Sequence, residues 1–156
     1  MDNPEKLKKI CESLSRISEK MKLVFPIHPR TEKNLEQNAF MSVLTNSKNI
    51  ILLEPLRYIH FMNMVFNSRI VITDSGGIQE ETTYLGIPCL TLRSNTERPV
   101  TISEGTNRLC KVNNFEEDAL FALSDSNESA PAIHLWDGKT AGRVVNSIGG
   151  FLGILR

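Results

Sequence analysis

Short apolar runs at residues 23–27, 50–53, 70–73 and 89–92 alternate with longer stretches of helical periodicity. Runs of four or five residues with no polar alternation are strands buried on both faces, as in a parallel sheet covered by helices. A fifth strand is predicted after Thr106, reaching Val112. Between the strands, Leu7, Ile10, Cys11, Leu14, Ile17 and Met21 recur at helical spacing behind an Asp2 or Asn3 cap and Pro4. Thr31 is the expected cap of a second helix carrying Leu35, Ala39, Phe40, Val43 and Leu44. Further helices are predicted at 58–66, at 78–85 closed by Gly86, at 115–123 and at 140–148, with a polar loop at 124–132. The predicted fold class is α/β: a Rossmann-like parallel sheet with helices on both faces.

In such sheets ligands bind at the carboxyl ends of strands. Three segments converge there: His28-Pro29-Arg30, residues 54–61, and Ser75-Gly76-Gly77. The last lies in Thr73-Asp74-Ser75-Gly76-Gly77-Ile78-Gln79-Glu80-Glu81, directly behind Ile70-Val71-Ile72. A strand, a glycine turn and a helix start aim free N–H groups and the positive helix end at one point, where a phosphate sits well. A carboxylate one turn in, Glu80 or Glu81, is positioned for the hydroxyls of an attached ribose. The two point about 100° apart on a helix, so one of them faces the ligand. Each feature also has a purely structural reading: a tight turn for the glycines, stabilisation of the helix end for the acids.

Charge narrows the partners. Lys plus Arg and Asp plus Glu number 18 each, a formal charge of zero, so bulk electrostatics favours no nucleic acid. No apolar run reaches the roughly 20 residues that span a bilayer, and the polar start is not a signal peptide. Cys11, Cys89 and Cys110 are odd in number and widely spaced, which suggests neither a zinc site nor a disulfide framework and fits a reduced cytoplasmic setting. No metal and no cofactor is expected.

The ordered set Phe25-Pro26-Ile27-His28-Pro29-Arg30-Thr31, Glu54-Pro55-Leu56 with Tyr58 and Phe61, the stretch from Thr73 to Glu81, Leu85-Gly86-Ile87-Pro88, Arg93, Thr96-Glu97-Arg98-Pro99, Gly105-Thr106-Asn107 and Leu135-Trp136-Asp137-Gly138-Lys139 resembles the C-terminal half of the non-hydrolysing UDP-N-acetylglucosamine 2-epimerases. Two positions depart from that pattern: Val100 stands where many members carry an acid, and Cys110 where glycine is common.

The resemblance implies the second half of a GT-B architecture, two Rossmann-like domains with the active site in the cleft between them. Residues 1–156 would be the UDP-binding C-terminal domain, with the N-terminal domain absent. The family eliminates UDP to leave a 2-acetamidoglucal and re-adds it to the opposite face, interconverting UDP-N-acetylglucosamine and UDP-N-acetylmannosamine. Its catalytic histidine lies in a Gly-His-Arg motif ahead of Met1 and its acids lie in the first domain, so no catalytic residue is expected in this chain. The implied ligand is UDP or UDP-N-acetylglucosamine. Ser75, Gly76 and Gly77 would hold the diphosphate, Glu81 the ribose, Arg98 the phosphate region, and Phe61 would pack near uracil. His28 would belong to a second, allosteric nucleotide-sugar site, and Arg30 beside it is read either as a phosphate contact of that secondary site or as a helix-end cap.

Structural alternatives stay open at each position: an ion pair for Arg98, a core place for Phe61, a strand end for His28. Trp136 would anchor the C-terminal segment. The apolar tail, with Gly149-Gly150 as a turn before Phe151, is expected to fold back or to pair with a second copy as a homo-oligomer. The nucleotide-binding domain of a UDP-sugar glycosyltransferase and a non-catalytic UDP-sugar-binding module are the alternative readings.

Overall fold

The computed structural model describes residues 3–124 and 131–154. The elements follow the order α1 (Pro4–Ser18), β1 (Leu23–Pro26), α2 (Pro29–Gln37), α3 (Met41–Thr45), β2 (Ile50–Leu53), α4 (Tyr58–Phe66), β3 (Val71–Thr73), α5 (Gly76–Leu85), β4 (Cys89–Thr91), α6 (Val100–Ser103), β5 (Asn107–Leu109), α7 (Phe115–Ser124) and α8 (Thr140–Phe151). Most boundaries fall within a residue or two of the expected ones.

The start of α1 follows local chemistry. Asn3 Oδ1 accepts the Lys6 N–H at 3.1 Å, and Pro4 occupies the first turn. The second helix differs from expectation. Pro29, with its preset φ, opens α2, and His28 caps it by accepting the Arg30 N–H on Nδ1 at 3.3 Å. Thr31 is therefore inside the first turn. Ala39 takes φ 57°, a left-handed conformation that ends α2 and separates it from α3. The fifth strand is also shorter than expected, giving way after Leu109 to a 3-10 turn at Val112–Asn114. At the far end the predicted glycine turn does not form. Gly149 and Gly150 lie within α8, whose hydrogen bonds run on to Phe151 because neither residue needs a positive φ there.

All strand pairing is parallel. β1 pairs with β2 in register Leu23 to Ile50, and β3, β4 and β5 form a second ladder with Val71 opposite Cys89 and Cys89 opposite Asn107. The expected single sheet is thus two ladders, 2-stranded and 3-stranded. Right-handed crossovers set the layers. The chain moves one way from β1 to β2 and the opposite way from β2 through β3 and β4 to β5. This puts α2 and α3 on one face and α4, α5 and α6 on the other.

Helix α1 ties the ladders together. Its Leu7 and Cys11 pack with Ile27, Leu35 and Leu44, whereas Ile10 and Ile17 pack with Leu90, Cys110 and Phe115. Strand β4 is buried throughout, so it is the centre of the larger ladder. By contrast α8 leaves Val145, Ile148, Phe151 and Leu152 exposed, Phe151 at 91%, so these side chains do not fold back on the domain. Trp136 is half-buried, and the segment around it is clasped by Arg143, which pairs with Asp137 at 2.9 Å and donates to the Leu135 carbonyl at 2.8 Å.

The thiols of Cys11, Cys89 and Cys110 are free and buried. Burial raises the Cys11 pKa to about 11; burial, with Asp118 nearby, raises that of Cys110 to about 12. The folded state keeps its protons while an unfolded thiol releases them near 9.0. Their contribution to stability is therefore complete below that pH and is lost as pH rises toward 11. Unfolding free energies from urea titrations should fall as pH rises across this range, with Cys89, also raised by burial, adding to the loss. Cys110→Ala should make the fall shallower, and a pH dependence unchanged by the substitution would refute the assignment.

Candidate functional site

The carboxyl end of β3 leads through Asp74 and Ser75 into α5. Ser75 is the cap by backbone position: its N–H donates to Thr73 Oγ1 at 3.0 Å, and its own hydroxyl makes no capping bond. The first turn of α5 contains no acid, so nothing on the helix neutralises its positive end there. Gly77 is exposed, and a Cβ built on it would meet nothing within 4 Å. The fold therefore does not require glycine at that position.

Arg98 lies over this turn. A Cβ on Gly76 would be 3.7 Å from Arg98 Nη1, and Arg98 Nε lies 2.7 Å from Glu80 Oε2. The Nε–H nonetheless has no acceptor in hydrogen-bonding alignment, so the contact is a charge pair. Glu97 is a looser second partner at 3.8 Å. Glu80 raises the guanidinium pKa above its ordinary value, keeping the charge fixed at any working pH. Glu80 thus does more than sit near the helix end: it orients the arginine.

Glu81 takes a different direction, as the helical geometry requires. Its Oε1 accepts the Tyr58 hydroxyl at 2.9 Å, which raises the phenol pKa. Its Oε2 is shielded from solvent and has no hydrogen-bond partner. A buried carboxylate oxygen without a donor is uncommon and marks a place for one.

The segment bearing Arg98 is held by a buried polar network. Gln79, fully buried, donates from Nε2 to the Ser75 carbonyl at 3.2 Å and accepts on Oε1 from Thr96 Oγ1 at 2.6 Å and Asn107 Nδ2 at 3.1 Å. Asn107 also donates to Thr101 Oγ1 at 3.1 Å and accepts from Thr91 at 2.6 Å. Thr96 accepts the Arg98 N–H at 3.0 Å, and Thr101 donates to the Arg98 carbonyl at 2.8 Å. Both backbone groups of Arg98 are thereby fixed relative to α5. Gly105 closes the same loop: a Cβ there would lie 2.4 Å from the Thr101 carbonyl oxygen and 2.6 Å from Thr83 Cγ2, so only glycine fits.

The structure brings Ser75, Gly76, Gly77 and Arg98 together, with Glu80, Glu81 and Tyr58 beside them. Phe61, half-buried on α4, lines a cavity of about 820 Å3 whose rim includes His28 and Asp74. Arg30 is exposed in the first turn of α2. Sequence reasoning missed the roles of Gln79, Asn107, Thr101 and Tyr58. The available signal was a fully polar Asn in a strand opposite a Gln in the facing helix.

A parallel α/β domain with charged side chains gathered at one strand's carboxyl end belongs to the Rossmann-like class. The family model for UDP-N-acetylglucosamine 2-epimerase matches residues 1–149, and the chain belongs to that family. The UDP-N-acetylglucosamine 2-epimerase of Methanococcus maripaludis is 44% identical over 110 residues, covering 69% of this chain and 30% of that protein. The Escherichia coli K12 enzyme of the same name is 32% identical, covering 89% and 39%. The crystal structure of Methanocaldococcus jannaschii UDP-GlcNAc 2-epimerase in complex with UDP-GlcNAc and UDP superposes with a TM-score of 0.84 at 35% identity, covering 96% of this chain and 42% of that one. The chain spans less than half the length of these relatives. Among the described residues no helix is long and apolar enough to cross a membrane.

Proposed function

We infer that residues 1–156 are the UDP-binding C-terminal half of an enzyme that interconverts UDP-N-acetylglucosamine and UDP-N-acetylmannosamine by UDP elimination and re-addition. The observation that carries this reading is the acid-free start of α5 with Arg98 held over it. Two backbone N–H groups, the Ser75 hydroxyl and a guanidinium converge where a diphosphate gains charge as it leaves. The unpartnered Oε2 of Glu81 suits a ribose hydroxyl. Phe61 is assigned to the uracil side, and His28 with Arg30 to a second nucleotide-sugar site.

The empty space at Gly77 makes a sharp test. Gly77→Ala relieves a helix of its most flexible residue and should stabilise the free domain by about 0.5–1 kcal/mol. The added methyl crowds the diphosphate, so UDP affinity should fall roughly tenfold or more. Titration calorimetry and urea melts on the same preparations read both. Greater stability with undiminished UDP affinity would refute the phosphate assignment.

The groups assigned here bind nucleotide; moving a carbon-bound proton needs a positioned acid and base as well. The chain incubated alone with UDP-N-acetylglucosamine is expected to form no UDP-N-acetylmannosamine, checked by chromatography of the nucleotide sugars.

A further inference from the structure

Glu81 holds its carboxylate against the preference of an ionised group for water. The residue is half-buried on α5, and its Oε2 is shielded from solvent with no hydrogen-bond partner. A glutamate side chain has several free torsions, and one left to itself turns both charged oxygens outward. Among the described residues one hydrogen bond resists that rotation. The Tyr58 hydroxyl, 23 residues away in the chain, donates to Oε1 at 2.9 Å.

Tyr58 does little for the fold. It is the first residue of α4 and is 67% exposed. The helix is held to the domain by buried Val65 and by half-buried Phe61, Met62 and Met64. The hydroxyl is also a dependable donor. Its bond to Glu81, and then the charge of that carboxylate, raise the phenol pKa, so the proton stays in place at any working pH. Phe61, assigned above to the uracil side, follows Tyr58 by three positions on α4, so the two side chains are neighbours on the helix surface.

We propose that Tyr58 is a positioning residue for nucleoside recognition: its hydroxyl fixes the Glu81 carboxylate in advance, so that Oε2 meets a ribose hydroxyl already oriented. This rests on the assignment of Glu81 to the ribose. Ordering a long side chain beforehand removes that cost from the binding step. The alignment also makes the site select a nucleotide that carries ribose hydroxyls over one that lacks them. One turn of α4 then serves both halves of the nucleoside, the base through Phe61 and the sugar through Tyr58 acting on Glu81.

The test is calorimetric titration of the full chain with UDP, with 2′,3′-dideoxy-UDP and with inorganic pyrophosphate. The dideoxy compound keeps the base and the diphosphate and loses only the hydroxyls. The unaltered chain should bind UDP at least about tenfold more tightly than the dideoxy compound. Tyr58→Phe keeps the ring, and urea melts should show its fold intact. It should weaken UDP roughly three- to tenfold and leave the dideoxy compound and pyrophosphate unchanged. In a Glu81→Ala background the same substitution should have no further effect on UDP, because its only route of action is gone. Equal losses for UDP and the dideoxy compound would overturn the proposal, as would unchanged or tighter UDP binding in Tyr58→Phe. Each of these leaves the diphosphate assignment standing while pyrophosphate and UDP still bind. Failure of the unaltered chain to bind either one would overturn that assignment and this proposal with it.

Discussion

Replacing Gln79 with leucine is expected to cost about 3–5 kcal/mol of stability, because it leaves the part-buried Thr96 hydroxyl and one buried donor of Asn107 without their acceptor. Leucine is close in volume, so packing alone would predict a much smaller loss. For a domain of this size the thermal midpoint should fall by about 8–15 °C. The effect should also reach the ligand. Thr96 freed from Gln79 loses its fixed orientation and with it the Arg98 N–H contact, so UDP should bind more weakly in whatever fraction remains folded. Urea unfolding followed by circular dichroism gives the stability. A loss below about 1 kcal/mol would show that the network is not a structural determinant.

Arg98→Ala should behave in the opposite way. Its pairs with Glu80 and Glu97 are partly exposed, and such pairs contribute little to folding. Its backbone bonds to Thr96 and Thr101 survive the substitution. The fold should persist while UDP affinity falls roughly ten- to hundredfold, the effect of removing a charged donor from a phosphate. Arg98→Lys should recover only part of the affinity, since an ammonium is a point charge without the planar fork. Glu81→Gln should lower UDP affinity by a comparable factor and let the Tyr58 hydroxyl titrate nearer its ordinary range, visible in the ultraviolet spectrum. Calorimetric titration of each variant with UDP is the measurement. A large drop in thermal stability at unchanged affinity would make Arg98 a structural ion pair and remove it from the site.

The two substitutions separate residues that hold the site from residues that face the ligand. Gln79 is fully buried and reaches three partners. Arg98 is on the rim with its side chain one-third exposed. Both lie within stretches that the sequence singles out, yet only their burial tells them apart.

What the sequence by itself determined is local or periodic. The α4 boundaries, the Asn3 cap with Pro4, and the Gly86 stop at φ 73° follow from neighbours in the chain. The parallel α/β class follows from continuous apolar runs, and the glycine turn at Ser75 from a strand running straight into a helix. Tertiary structure decided the rest. The split of α2 from α3 at Ala39 depends on Leu35 and Leu44 both reaching one core cluster. Gly149 and Gly150 read as a turn because glycine is a poor helix former, but a helix can carry them where nothing forces a positive φ. The pairing of Arg98 with Glu80 and of Tyr58 with Glu81 joins positions 18 and 23 residues apart, and Gln79 meets Asn107 across 28. No periodicity encodes such contacts. They exist because parallel crossovers bring the carboxyl end of β3, the start of α5 and the loop after β4 to one place.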